Sequence, residues 1–358
     1  MEPVSATLIG PVCLLALGSA AATVVLWRRL AGTGVRAVLA RSGLLVATQA
    51  ALTASIVLLA NRYFVFYATW NDLLGNDPAH LQVQHVQPQR AAGRLVERTA
   101  TGLGPERAGH RPDPAKDGRV DRLTIHGARS GMDAEAYVYL PPRYFQRAER
   151  LPVVVLMGDG APTDWLRDAD LPRAAGRTQP MVYAMVRLRG AADCMDVPGR
   201  HATLGATYLT QDLPEALASQ YRVTQAREGW AVAGTGDGGW CAARLAMLRS
   251  DRFAAAASLG GRFGAPDGDL YGGSQRYRLG NDLLWRLQNV PPPPVSILVA
   301  AGRGDEQARR FAALARPPMR VETSLVREGA RDGSPASASE VSSALTWLGA
   351  RLRIPPAE

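Results

Sequence analysis

The residues whose types and spacing could do chemistry lie in Trp230-Ala231-Val232-Ala233-Gly234-Thr235-Gly236-Asp237-Gly238-Gly239-Trp240-Cys241-Ala242-Ala243-Arg244-Leu245-Ala246-Met247. A short apolar run, suited to a buried strand, enters a glycine-crowded turn and passes straight into an Ala/Leu/Met-rich helix. That is the frame of a nucleophile elbow, G-x-S-x-G, in which a strained turn lifts the attacking atom between strand and helix. Small flanking residues are needed because the helix packs close to the strand. Gly234 and Gly238 are the flanking glycines, so the nucleophile position falls on Gly236. Serine catalysis needs a hydroxyl, a base in hydrogen-bond reach and an acid that orients the base. Gly236 removes the hydroxyl. Asp237 is the neighbouring carboxylate that could stand in as nucleophile, although its side chain would point away from the apex.

Bases and metal ligands are scarce around this frame. His201 follows Pro198 in a loop and reads as a surface residue. His80, His85 and His110 fall in a Pro/Gly/Arg-rich stretch, where solvated histidine is the expectation. Three cysteines without a Cys-x-x-Cys pair argue against a thiolate zinc site. No metal and no cofactor are expected.

The elements that must position the elbow follow from periodicity. Leu151–Met157, Met181–Val186, Phe253–Leu259 and Val295–Ala300 are continuous apolar runs, as buried parallel strands require. Leu123–His126 and Ala134–Leu140 alternate like partly exposed antiparallel strands, and Val321–Val326 alternates as the last strand. Helices are expected over 208–221, 281–287 and 339–352, with Thr210 and Asp212 capping the first. Strands alternating with helices predict an α/β fold with a mostly parallel sheet, whose sites lie at the carboxyl ends of the strands. Residues 77–118 show little periodicity and read as a linker.

The amino-terminal part has a different character. Residues 5–27 and 43–60 are two apolar runs of a length that crosses a bilayer as helices. Arg28, Arg29, Arg36 and Arg41 lie between them, which places that loop in the cytoplasm and both flanking segments outside. Tyr63, Phe64, Phe66, Tyr67 and Trp70 suit an interfacial aromatic belt. The expected organisation is a two-pass anchor over 1–75, a linker over 76–118 and an outward-facing α/β domain over 119–358. Of the 358 residues, 47% are hydrophobic and 20% charged, which fits a globular protein with a membrane part. The net charge of +9 comes almost wholly from arginine, and no basic run interleaves with stacking aromatics, so a nucleic-acid partner is not expected.

Four segments carry a family resemblance. They are Cys194-Met195-Asp196-Val197-Pro198, Thr207-Tyr208-Leu209-Thr210-Gln211-Asp212-Leu213-Pro214, the elbow itself, and Asp251 to Gly261. In order and spacing, residues from about 120 to 353 resemble the actinobacterial esterase family of the α/β-hydrolase fold, the group that includes the mycolyltransferases. The resemblance implies serine where this chain has Gly236, and a histidine near Gly329-Ala330-Arg331-Asp332, where this chain has none. It implies Asp305 as the acid and the loop at Gly158 and Asp159 as donor of one oxyanion-hole N–H. The implied fold also brings the loop of Cys194 to the sheet end that holds Cys241, so a disulfide between them is expected beside the alternative of two buried thiols. The functional expectation is a membrane-anchored, extracytoplasmic member of this family whose triad chemistry is lost and which binds an acyl, glycolipid or envelope component or a partner protein. The alternative is an active esterase or acyltransferase working through displaced residues.

Overall fold

A computed structural model describes residues 6–27, 34–64, 96–100, 113–197, 203–268, 270–325 and 337–353. The chain divides into two compact units, one built on the first two helices together with residues 271–279, the other on the sheet and its helices.

In the first unit, helix α1 (Ala6–Trp27) and helix α2 (Val35–Phe64) form a hairpin. The 22 residues of α1 span ~33 Å at the α-helical rise. That length and composition are enough to cross a bilayer, as are those of α2 between Ala37 and Leu59. Helix α2 starts eight residues before the expected Gly43, so Arg36 and Arg41 lie within its first turns rather than in a loop. Arg41 sits 5.6 Å from the Trp27 ring centre, which holds the end of α1 against the start of α2. Small residues make the seam: Ala16, Ala51 and Ser55 are buried, while Leu14, Val24, Leu39, Val46 and Ile56 point outward. Thr23 and Thr48 hydroxyls meet at 2.8 Å, and the Ser55 hydroxyl donates to the Ala51 carbonyl. Small side chains let the two helices approach closely, and the hydroxyls are satisfied by bonds along and across the seam. Most of the expected aromatic belt and the Arg28–Arg29 pair lie outside the described residues.

The second unit is a nine-stranded sheet. Its strands are β1 (Val96–Ala100), β2 (Arg119–His126), β3 (Asp133–Leu140), β4 (Val153–Gly158), β5 (Val182–Arg187), β8 (Trp230–Thr235), β9 (Ala255–Leu259), β10 (Ser296–Ala301) and β11 (Arg320–Leu325). Two-residue strands β6 (Asp196–Val197) and β7 (Thr203–Leu204) pair separately. The sheet order is β1-β2-β3-β5-β4-β8-β9-β10-β11; pairs among β1, β2, β3 and β5 are antiparallel and all pairs from β5 to β11 are parallel. The central strands are buried on both faces, which explains their unbroken apolar runs.

Strand β1 corrects the expected linker. Val96-Glu97-Arg98-Thr99-Ala100 lies inside the segment read as 76–118, yet it pairs along β2 as the sheet's edge. An edge strand that buries little carries no apolar alternation, so sequence pattern could not show it. The rest of the segment is outside the described residues, apart from Asp113–Gly118, where Pro114–Asp117 forms one helical turn.

The helices that matter for the site are α3 (Asp164–Arg167), α4 (Leu213–Gln220), α5 (Asp237–Leu248), α6 (Leu283–Asn289), α7 (Glu306–Leu314) and α8 (Ala338–Gly349). One face of the sheet packs Val154, Leu156, Tyr183, Ala231, Ala233 and Leu298 against Trp165, Leu171, Val341, Leu345 and Leu348. Helix α5 packs over β4, β8 and β9. Helix α8 starts in a capping box, Ser337 with Glu340. The helix expected over 208–221 begins earlier, at Gly205, and passes through a π-turn over Tyr208–Asp212 into α4. Thr210 and Asp212 therefore lie inside a helical stretch and are not caps. Asp212 instead accepts hydrogen bonds from the Arg129 and Ser130 N–H groups of the β2–β3 turn, and Thr210 bonds the Ala206 carbonyl and Arg249. The single helix expected over 281–287 is two helices, Gln275–Asn281 and α6, separated at Asp282, which caps α6 through the Trp285 N–H.

Candidate functional site

The turn between β8 and α5 has the geometry that the glycine spacing requires. Gly236 adopts φ 54° and ψ −120°, a strained region that side-chain-bearing residues rarely occupy. Its N–H donates to the Leu259 carbonyl, and its own carbonyl accepts from the Gly239 and Trp240 N–H groups. A Cβ added at Gly234 would come within 2.3 Å of the Gly238 carbonyl oxygen, and one at Gly238 within 2.3 Å of the Met157 carbonyl oxygen. Both positions therefore admit only glycine. A Cβ added at Gly236 would meet nothing within 4 Å. The apex is open space above a preserved turn.

Helix α5 points its amino terminus at this space. Its first N–H, that of Asp237, has no partner within the helix, as for any first-turn amide. The close approach of Gly238 to Met157 and Gly158 sets this turn directly against the end of β4, where Asp159 follows. In nucleophile-elbow folds, an oxyanion hole draws on backbone N–H groups from these two kinds of position, after the apex and after a neighbouring strand.

The candidate side chains fall as follows. Asp237 turns to Arg262, whose guanidinium donates to its carboxylate at 2.9 Å, so it is held in an ion pair and not aimed at the apex. Asp305 follows β10 but caps α7 by accepting the Ala308 N–H at 2.9 Å. Ser258, opposite Gly234 in the β8–β9 register, is fully buried and its hydroxyl has no hydrogen-bond partner among the described residues. His126, the one histidine among the described residues, bonds Asp133 across β2 and β3. It lies four strands from β8, or ~19 Å at ordinary strand spacing. His201 and the turn at Gly329–Asp332 lie outside the described residues.

Cys194 and Cys241 are joined, with Cα atoms 6.1 Å apart. The bridge ties the short 3-10 turn Ala191–Cys194 to the second turn of α5. Arg244, one turn further along, is buried and reinforces the same junction: it donates to the Cys194 carbonyl at 2.9 Å and to Asn281. The elbow helix is thus pinned to the loop that follows β5.

Beside the elbow, at the carboxyl end of β4, lies a cavity of about 290 Å³. Asp159, Asp164, Trp165, Asp168, Thr235 and Val341 are among its lining residues. Sequence pattern did not reveal it. Helix α3 is a single turn without periodicity, and Val341 arrives from the far end of the chain.

The sheet order, with β5 inserted between β3 and β4, the elbow after β8 and the covered parallel centre define an α/β-hydrolase fold. The chain belongs to the Esterase family, described as "Putative esterase", whose sequence model matches residues 127–324. Solved structures that share the fold include the following three. An S-formylglutathione hydrolase from Agrobacterium tumefaciens matches with TM-score 0.55 and 15% identity, over 66% of this chain and 96% of that one. A ferulic acid esterase matches with TM-score 0.51 and 18% identity, over 66% and 99%. The fluorophosphonate-binding serine hydrolase FphF of Staphylococcus aureus matches with TM-score 0.51 and 16% identity, over 65% and 98%. At these identities the likeness is one of fold. A Corynebacterium glutamicum protein described as uncharacterized is 30% identical over 136 residues, 34% of this chain and 31% of that protein. The match thus spans about a third of the length of that curated relative.

Proposed function

We propose that this protein is a membrane-anchored member of the esterase family that has given up covalent serine catalysis and works by binding an acyl or cell-envelope component, or a partner. The observation that carries this reading is Gly236. The turn that would present a nucleophile is intact, its flanking glycines are sterically required, and the space above the apex is open, yet no side chain is there. The nearest substitutes are engaged or enclosed: Asp237 by Arg262, Ser258 by the sheet. An elbow of this kind keeps the backbone donors that recognise a carbonyl or carboxylate oxygen while lacking the atom that attacks it. In this reading α1 and α2 anchor the chain with the arginine-bearing connection inside, and the α/β unit works outside the cytoplasm.

The test is labelling of the full-length chain with a fluorophosphonate, alongside turnover of short p-nitrophenyl esters. The expected result is no covalent adduct and no turnover beyond what an oxyanion hole alone retains, ~10³-fold over water. Stoichiometric labelling at one residue that also abolishes turnover would replace this reading with an active esterase using displaced groups.

A further inference from the structure

The cavity at the end of β4 has features that the elbow does not use. Trp165 is 7% exposed, and its indole N–H has no acceptor among the described residues. The residue is buried but the N–H faces open space rather than protein, so it is a donor that an acceptor oxygen bound in the cavity can use. It converges with a second polar atom: from the position of a Cβ built on Gly158, Trp165 Nε1 is 3.7 Å away and Thr235 Oγ1 is 3.2 Å away. Both lie at the cavity wall next to the elbow.

Around this donor stand three carboxylates. Asp164 is fully engaged, accepting from the Ala161 N–H at 2.8 Å on one oxygen and from Arg167 at 3.0 Å on the other. The carboxylates of Asp159 and Asp168 meet no N–H and no cation in bonding range among the described residues. Arg187 comes near but spends its Nε–H on the Asp159 carbonyl oxygen. Among the described residues the cavity lining carries three carboxylates and no basic side chain, in a chain whose net charge is +9. Among the described residues no three acidic, histidine or cysteine side chains converge as metal ligands would. The volume, about 290 Å³, suits a small organic molecule.

We propose that this cavity is a subsite for a small organic ammonium ion that also carries an acceptor oxygen, such as an amino alcohol or its ester. The ammonium group lies toward Asp159 and Asp168, and the oxygen accepts from the Trp165 indole N–H, with Thr235 beside it. The proposal deepens the binding role argued above by naming its ligand class, and it rests on that role.

The experiment is calorimetric titration of the full-length chain, reconstituted in phosphatidylglycerol nanodiscs, with acetylcholine, its uncharged isostere 3,3-dimethylbutyl acetate, and tetramethylammonium. Acetylcholine should bind roughly tenfold or more tightly than the isostere, since two uncompensated carboxylates each contribute up to ~1 kcal/mol at an exposed site. Asp159→Asn with Asp168→Asn should bring the two ligands to similar affinity. Trp165→Phe keeps an aromatic ring, smaller than the indole, and removes the N–H, so acetylcholine should weaken about threefold to tenfold, as a lost hydrogen bond predicts, while tetramethylammonium is unchanged. A melting curve for each variant separates these effects from misfolding. Repeating the titration in phosphatidylcholine discs distinguishes the sources: weaker binding of added ligand there assigns the site to a lipid headgroup, and equal binding to a free amine. No binding of either ammonium ligand, equal affinity for acetylcholine and its isostere, or a Trp165→Phe effect that falls equally on tetramethylammonium would overturn the proposal. Release of acetate, followed separately, would defeat the loss-of-chemistry reading and leave the subsite standing.

Discussion

At the scale of single residues, the proposed loss of serine chemistry rests on Gly236. A hydroxyl restored there would occupy open space, because an added Cβ meets nothing within 4 Å. It would also adopt φ 54°, at a cost of roughly 1–2 kcal/mol for a non-glycine residue. Gly236→Ser should therefore fold, with its melting temperature lowered by a few degrees, and should still turn over esters poorly. On the proposed reading the variant has an attacking group but no base at the position the family resemblance implies, since the sequence holds no histidine between Glu328 and Ser343. General-base assistance is worth ~10²–10⁴-fold. Combining Gly236→Ser with Ala330→His should raise ester turnover well beyond the product of the two single changes, because triad members act as a unit. Comparable activity in Gly236→Ser alone would mean that a base is already in place.

At the scale of elements, the elbow is two glycines that pack and one that bends. Gly234→Ala and Gly238→Ala each drive a methyl to within 2.3 Å of backbone oxygen, which no rotamer can relieve. Each should cost ~1–3 kcal/mol or more, whereas Gly236→Ala should cost only its backbone strain. Thermal unfolding of the three variants checks this order, and a Gly236→Ala variant less stable than the other two would contradict it. The same elements show what was legible in the sequence and why. β4, β5, β8 and β10 were plain because both sheet faces are covered, so burial writes an unbroken apolar run. β1 was hidden because an edge strand reading Val-Glu-Arg-Thr-Ala buries too little to leave a pattern. The helical stretch begins at Gly205 and runs on through the π-turn at Tyr208–Asp212, which puts Thr210 and Asp212 inside it rather than at its start. The elbow was readable as three closely spaced glycines; the cavity was not, because its wall joins a one-turn helix to Val341 through sheet order alone.

At the scale of the whole molecule, the amino-terminal hairpin and the α/β unit carry separate signals that meet only in the orientation of the chain. Arg28, Arg29, Arg36 and Arg41 separate the two apolar segments, and the last two sit at the start of α2. The bias of positive charge predicts that a reporter fused after Glu358 is active outside the cytoplasm and silent within it. Cytoplasmic activity of that fusion would reverse the orientation. Exchanging the four arginines for glutamine should lower the fraction of correctly oriented protein, read as a mixed reporter signal. The bridge from Cys194 to Cys241 closes a covalent ring whose circumference contains β8 and the whole elbow turn. A chain hydrolysed at one peptide bond on that circumference remains a single molecule, heavier by one water, until a reductant opens the bridge, so a single nick in the elbow severs sequence without releasing a fragment.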